Sequence, residues 1–227
     1  MQELKRLTSL VLAVSTVFCI SASAMAADPA QTQIAKAREI AYMDVDAAPA
    51  AMREAILDAR EVIINSQCWV ADGYRGYYTA PDGTETEVPH FSELFPGWDL
   101  PAVDVSNAPA AAGAARMQPE ETTRVNQVYL KNPSSSQNTP SFDVFYFMNE
   151  LQTTVTDLDA ATRTCTVGYS NMFLGVSVGV FPNMRVGSLA RIENTPEDVA
   201  AGNPTLISVR ASTNSTPGYG TFESTCW

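Results

Sequence analysis

Phe173-Leu174-Gly175-Val176-Ser177-Val178-Gly179-Val180-Phe181 sets Leu174, Val176, Val178 and Val180 against Gly175, Ser177 and Gly179 at alternate positions. Period two is the pattern of an extended strand whose side chains point to opposite faces. One face of this strand is bulky and β-branched. The other is nearly stripped of side chains and so admits the close approach of another element. The helix expected to end near Asn65 is available for that approach. The reading is therefore an α+β fold, with N-terminal helices packed on an antiparallel β-meander of about six strands. A β-sandwich with the helices at one end is the alternative.

Strand-like runs lie on both sides of this stretch, at 125–130, 142–148, 152–158, 163–169, 184–192 and 205–211. Their connections are brief, which favours antiparallel neighbours. Phe142, Val144, Phe145, Tyr146 and Phe147 are apolar on both faces, as in a central strand covered on both sides. Pro182-Asn183 is expected to turn the chain between two strands. Further upstream, Ile34, Ala37, Ile40 and Ala41 recur at helical spacing over 33–45. A second helix should be capped by Asp46, tolerate Pro49 in its first turn and end near Asn65. Its apolar stripe is Met52, Ala55, Ile56, Ala59 and Ile63, with Arg53, Glu54, Asp58, Arg60 and Glu61 on the other side. Between helices and strands, Pro81-Asp82-Gly83 predicts a hairpin turn: proline sets the first φ and glycine supplies the left-handed residue.

The first 26 residues read as an address. Lys5 and Arg6 precede an apolar run over 7–20, and Ala24-Met25-Ala26 gives the small-x-small pattern of a signal-peptidase site. The run is too short to span a bilayer, so no transmembrane segment is expected in the mature chain. The expected organisation is a signal peptide at 1–26 and a single secreted domain at 27–227. That domain divides into helices (27–66), an aromatic turn-rich segment (67–100), a linker or long loop (101–123) and an antiparallel sheet (124–227). Localisation is expected to be periplasmic or extracellular.

The net charge of −11, with Lys36 and Lys131 as the only lysines beyond Lys5, repels phosphate backbones and argues against nucleic acid as a partner. Once Cys19 is removed with the signal, Cys68, Cys165 and Cys226 remain. One disulfide and one leftover thiol are the expectation outside the cytoplasm. Three pairings are possible; a bridge that includes Cys226 would tie down the C-terminus, and Cys165 to Cys226 is the expected pair.

There is no Gly-x-Ser-x-Gly, no phosphate-binding glycine loop, no paired-histidine zinc helix and no Cys-x-x-Cys. No cofactor and no metal site are therefore expected. Cys68 as nucleophile with His90 as base is one catalytic arrangement, with Asp72 or Asp99 orienting the ring. Paired carboxylates drawn from Glu85, Glu87, Glu93 and Asp99 are another, as in glycoside hydrolysis. Trp69, Tyr74, Tyr77, Tyr78, Phe91, Phe95 and Trp98 crowd one turn-rich segment. Exposed, such rings make a surface for carbohydrate, peptide or an envelope polymer; buried, they make a mini-core that seals the helices against the sheet. The functional expectation is an exported binding or structural module using that aromatic surface, with a secreted hydrolase as the alternative.

Overall fold

The computed structural model describes residues 29–106, 121–131, 145–197, 205–213 and 216–227. The proposed signal peptide and most of the 101–123 segment lie outside them. The chain divides into two compact units, 1–36 and 37–227, and the second holds the strands of the described residues.

Helix α1 spans Pro29–Ala41 and α2 spans Ala50–Ile64. Ile56, Ala59, Ile63 and Ile64 form the buried stripe of α2, while Met52 and Ala55 are only half-buried. Asp46 does not cap this helix. Pro49 occupies the N-cap, and Asp44 Oδ1 accepts from the Asp46 and Ala47 N–H groups, so the aspartate two residues earlier organises the turn. Asn65 closes the helix as expected.

Among the described residues eleven strands follow, with one short helix among them. They are β1 (Trp69–Val70), β2 (Tyr74–Thr79), β3 (Glu85–Glu87), helix α3 (Phe91–Leu94), β4 (Thr122–Leu130), β5 (Phe145–Phe147), β6 (Glu150–Leu158), β7 (Cys165–Asn171), β8 (Val176–Met184), β9 (Leu189–Asn194), β10 (Leu206–Ser212) and β11 (Gly218–Cys226). The α+β class with N-terminal helices is what the chain adopts. The strands are more numerous than the six expected, however, and they divide between two sheets. One sheet has the order β1-β8-β7-β10-β5 and the other β3-β2-β9-β6-β11-β4. All strand pairings are antiparallel.

A single apolar cluster draws on both sheets, with Val167, Tyr169, Phe181 and Val209 from the first and Leu130, Leu151, Val155, Ile192 and Phe222 from the second. Two hydrogen bonds cross it: Tyr169 Oη donates to the Ala190 carbonyl at 3.1 Å, and Asn171 Nδ2 donates to Tyr74 Oη at 2.8 Å. These bonds satisfy polar groups that burial would otherwise leave unpaired.

The Pro81-Asp82-Gly83 turn closes β2 onto β3 as expected: Gly83 has φ +86°, and Asp82 Oδ1 accepts from Thr84 N–H. Pro182-Asn183, in contrast, does not turn the chain. Strand β8 continues to Met184, with Asn183 at φ +58°, and the turn falls at Arg185–Ser188, where Gly187 has φ +87°. Among the described residues strand β5 pairs with β10 alone and is the last strand of its sheet, where a central strand was expected; Phe142 and Val144 of that expectation lie outside the described residues. The bare face of β8 is also used differently. A Cβ on Gly179 would sit 3.5 Å from Val70 Cγ1 and from a Tyr169 ring carbon, so strand β1 and a core tyrosine take the space assigned to the helix.

The expected disulfide is not formed. None of Cys68, Cys165 and Cys226 forms a disulfide among the described residues. Cys165 stands opposite Met184 in the first sheet, and Cys226 lies between Thr122 and Leu151 in the second. Both are buried in the shared core and pack there as small apolar side chains. Among the described residues, no helix is long and apolar enough to cross a membrane.

Candidate functional site

The aromatic segment folds into a ladder of rings that runs from the interior to the surface. Trp69 and Phe91 meet edge-on at 4.7 Å between centroids, Phe91 and Phe95 tilt at 4.9 Å, and Phe95 stacks on Trp98 at 5.2 Å with 11° between planes. Tyr42, just beyond α1, adds the outermost ring at 5.0 Å from Trp98. The inner end is fixed by the indole N–H of Trp69, which donates to the Ile64 carbonyl at the end of α2. Trp69, Phe91 and Phe95 are buried, and through Trp69 this stretch joins the end of α2 to β1 and α3. The three inner rings are buried, Trp98 is half-buried, and Tyr42 is 60% exposed.

Arg60 locks this outer corner. Its guanidinium lies 4.9 Å from the centroid of Trp98, while Nε donates to the Ala41 carbonyl at 2.9 Å and Nη2 to the Met43 carbonyl at 3.3 Å. One side chain therefore caps the C-terminal carbonyls of α1, where a cation is favoured, and holds the indole by a cation–π contact. The sequence places Arg60 on the polar side of α2 and carries no mark of Tyr42. The legible signal was the short connection between two helices, which returns the start of α2 towards the end of α1.

The remaining predicted aromatics are dispersed. Tyr74 is buried and bonded to Asn171. Tyr78 is half-buried against the core, its hydroxyl 3.2 Å from Ser188 Oγ. Tyr77 lies on the other face of the same strand, opposite Arg191 in register, with that guanidinium 4.1 Å from its ring centroid. Arg191 also bonds Glu193 at 2.6 Å and pairs with Glu85 at 3.3 Å and Glu150 at 3.8 Å. Glu85 is thus engaged in a cross-strand ion-pair network. Glu87 is exposed on β3 opposite Tyr77.

The catalytic candidates do not assemble into an activated pair. His90 Nε2 lies 3.1 Å from the Tyr74 carbonyl, to which it donates, and Nδ1 is 3.7 Å from Glu93 Oε1. Both ring nitrogens are therefore engaged by groups other than Cys68. Asp72 accepts from Ser92 Oγ at 2.7 Å, and Asp99 is exposed. Burial pushes the Cys68 thiol up to about 11, the opposite of what a thiolate nucleophile needs. We expect Cys68 to alkylate slowly with iodoacetamide at pH 8 in the native protein and at the ordinary thiol rate in urea. Equal rates in the two conditions would show that its burial has no chemical consequence.

No protein-family model and no curated sequence matches this chain.

Proposed function

We propose that this chain is an exported binding module whose ligand-contacting surface is the Tyr42–Trp98 corner, and that the ligand presents a flat apolar face, as a carbohydrate ring or a peptide aromatic does. The observation that supports this reading is the ring ladder. Trp98 is backed by Phe95, Phe91 and Trp69 and clamped by Arg60, so its ring is held in place before any ligand arrives. Preorganised aromatic rings lose little entropy on binding, and this is why tryptophan and tyrosine dominate binding hot spots. Met43, 41% exposed, and Asp99 flank the corner and supply a mixed rim.

Export rests on the sequence of residues 1–26 and is tested by sequencing the N-terminus of the protein recovered from the envelope and culture medium. Cleavage after Ala26 supports the reading; an intact Met1 in the cytoplasm overturns it.

Binding is tested by titrating soluble envelope glycans and peptides against intrinsic tryptophan fluorescence. Tyr42→Ala is the informative variant, because an exposed ring at the end of the ladder contributes little to folding. The expected result is a loss of about tenfold in affinity, equivalent to about 1.4 kcal/mol, with an unchanged unfolding midpoint. Wild-type affinity in that variant would remove the corner from consideration.

A further inference from the structure

Two arginines of α2 pin the connection that follows α1. Arg60 Nε and Nη2 donate to the Ala41 and Met43 carbonyls, and Arg53 Nε and Nη2 donate to the Ala48 and Asp46 carbonyls. Leu57 stands between the two, four residues after Arg53 and three before Arg60, so all three share one side of the helix. Leu57 is 54% exposed, and the exposed Tyr42 and Met43 lie in the segment that Arg60 holds. Trp98 offers less than its size suggests, because Phe95 stacks on it and the Arg60 guanidinium lies over its ring. Tyr42, Met43 and Leu57 are therefore the apolar side chains that this corner presents to water, and exposed apolar groups on a soluble surface mark interaction sites.

The charges around these side chains are not balanced. Glu54 and Glu61 flank Leu57 at helical spacing, Asp44 and Asp46 lie in the pinned connection, and Asp99 follows Trp98; all five carboxylates are exposed. Against them stand Arg53 and Arg60, whose guanidinium N–H groups are directed at backbone carbonyls. Arg38 and Glu39, one turn before Tyr42, are of opposite sign and balance. In a chain of net charge −11, such a surface repels phosphate and carboxylate groups and attracts cations. A neutral sugar would gain from the rings and nothing from the five carboxylates.

We propose that the occupant of the Tyr42–Trp98 corner is a basic amphipathic peptide segment. Its apolar side chains cover Tyr42, Met43 and Leu57, and its lysines or arginines meet the surrounding carboxylates. The inference rests on the reading of that corner as the binding surface and narrows the ligand to a cationic polypeptide. A cation beside Tyr42 gains from the ring as well, since among the described residues Tyr42 has a ring contact with Trp98 and none with a cation.

The test is calorimetric titration of the purified chain with three probes. One is a synthetic amphipathic peptide of leucine and lysine with one phenylalanine in its apolar face, the second is the same peptide with glutamate for every lysine, and the third is cellohexaose. The expected result is binding of the lysine peptide alone, weakening as salt rises and screens the carboxylates. Leu57→Ala should weaken it about tenfold with an unchanged unfolding midpoint, because the side chain is exposed in the unbound protein. Glu54→Gln combined with Glu61→Gln should weaken it about fivefold, whereas Glu223→Gln, at an exposed carboxylate of β11, should leave it unchanged. An equal loss from Glu223→Gln means general attraction to an acidic protein and overturns the proposal. Binding of cellohexaose that Tyr42→Ala abolishes, with no binding of the lysine peptide, overturns the proposal and leaves the corner as the binding surface. Binding of the lysine peptide that neither Tyr42→Ala nor Leu57→Ala weakens overturns both.

Discussion

Trp69→Ala should cost about 3–5 kcal/mol of unfolding free energy, the range typical of truncating a fully buried large aromatic. Trp69 is 0% exposed and joins three elements at once. Its ring packs edge-on to Phe91 of α3, its indole N–H satisfies the Ile64 carbonyl at the end of α2, and its backbone pairs with Val180 of β8. Removing it opens a cavity, strips a helix-terminal carbonyl of its donor and unseats the ladder that supports Trp98. For a chain of this size, each kcal/mol is worth roughly 2–4 °C in Tm. A urea titration should show a lower midpoint with an unchanged slope, because compactness is retained while stability falls. A loss below about 1 kcal/mol would mean that the ring cluster is not integrated with the sheet. Trp69→Phe should recover the packing but not the hydrogen bond and fall in between, which separates the two contributions.

The second large effect is expected at Gly218, the first residue of β11. A Cβ there would collide with Thr162 Oγ1 and with the Asp159 carboxylate. That carboxylate cannot move aside freely. Its Oδ1 accepts from Ala161 N–H, Thr162 N–H and Thr162 Oγ1, and its Oδ2 accepts from Tyr219 N–H. One aspartate thus both forms the turn before β7 and anchors the start of β11. Overpacking of this kind typically costs about 1–3 kcal/mol, and Gly218→Ala should lie at the upper end, because the obstructing atoms are hydrogen-bonded on both sides. Adding Thr162→Ala should recover only part of the loss, since the carboxylate remains in the way. Full recovery would place the strain on the hydroxyl alone.

The same turn carries a pH signature. Hydrogen bonds from Tyr219 and Thr162 hold the Asp159 carboxyl below its usual range. A carboxyl lowered in the folded state contributes stability that is present above its unfolded value, about 3.9, and is lost as pH falls through the folded value. Asp159→Asn should therefore be less stable than the parent at neutral pH, with a flatter stability curve below about pH 4. Chemical denaturation at a series of pH values reads both effects. A curve parallel to the parent's would show that Asp159 takes no part in acid destabilisation.

Of the proposed site, the sequence made Trp98 visible through the density of rings around it, but not which rings would stay exposed. Strand alternation sends Tyr77 outward and Tyr78 inward, and that depends on which face of β2 meets the core. Tyr42 and Arg60 join the corner only because Arg60 reaches the Ala41 carbonyl and Tyr42 meets Trp98. Their residue types carry no mark of that meeting. Strand β11 is not legible in the sequence for a different reason. Its inward positions are Gly218, Gly220, Phe222, Ser224 and Cys226, too small and polar to read as a hydrophobic strand, although it lies between β6 and β4 in its sheet.

The sequence alone determined what local chemistry controls. It set the apolar stripe of α2 and its end at Asn65, the Pro81-Asp82-Gly83 hairpin, and the strand character of the second half of the chain. These follow from side-chain spacing, proline's fixed φ and glycine's access to positive φ, all within a few residues. Tertiary structure decided how the described strands divide between two sheets, why Cys165 and Cys226 form no disulfide with each other, and which aromatics reach the surface. Those outcomes depend on pairings between residues as far apart as Leu130 and Gly218, whose energy exists only once the two sheets close over a common core.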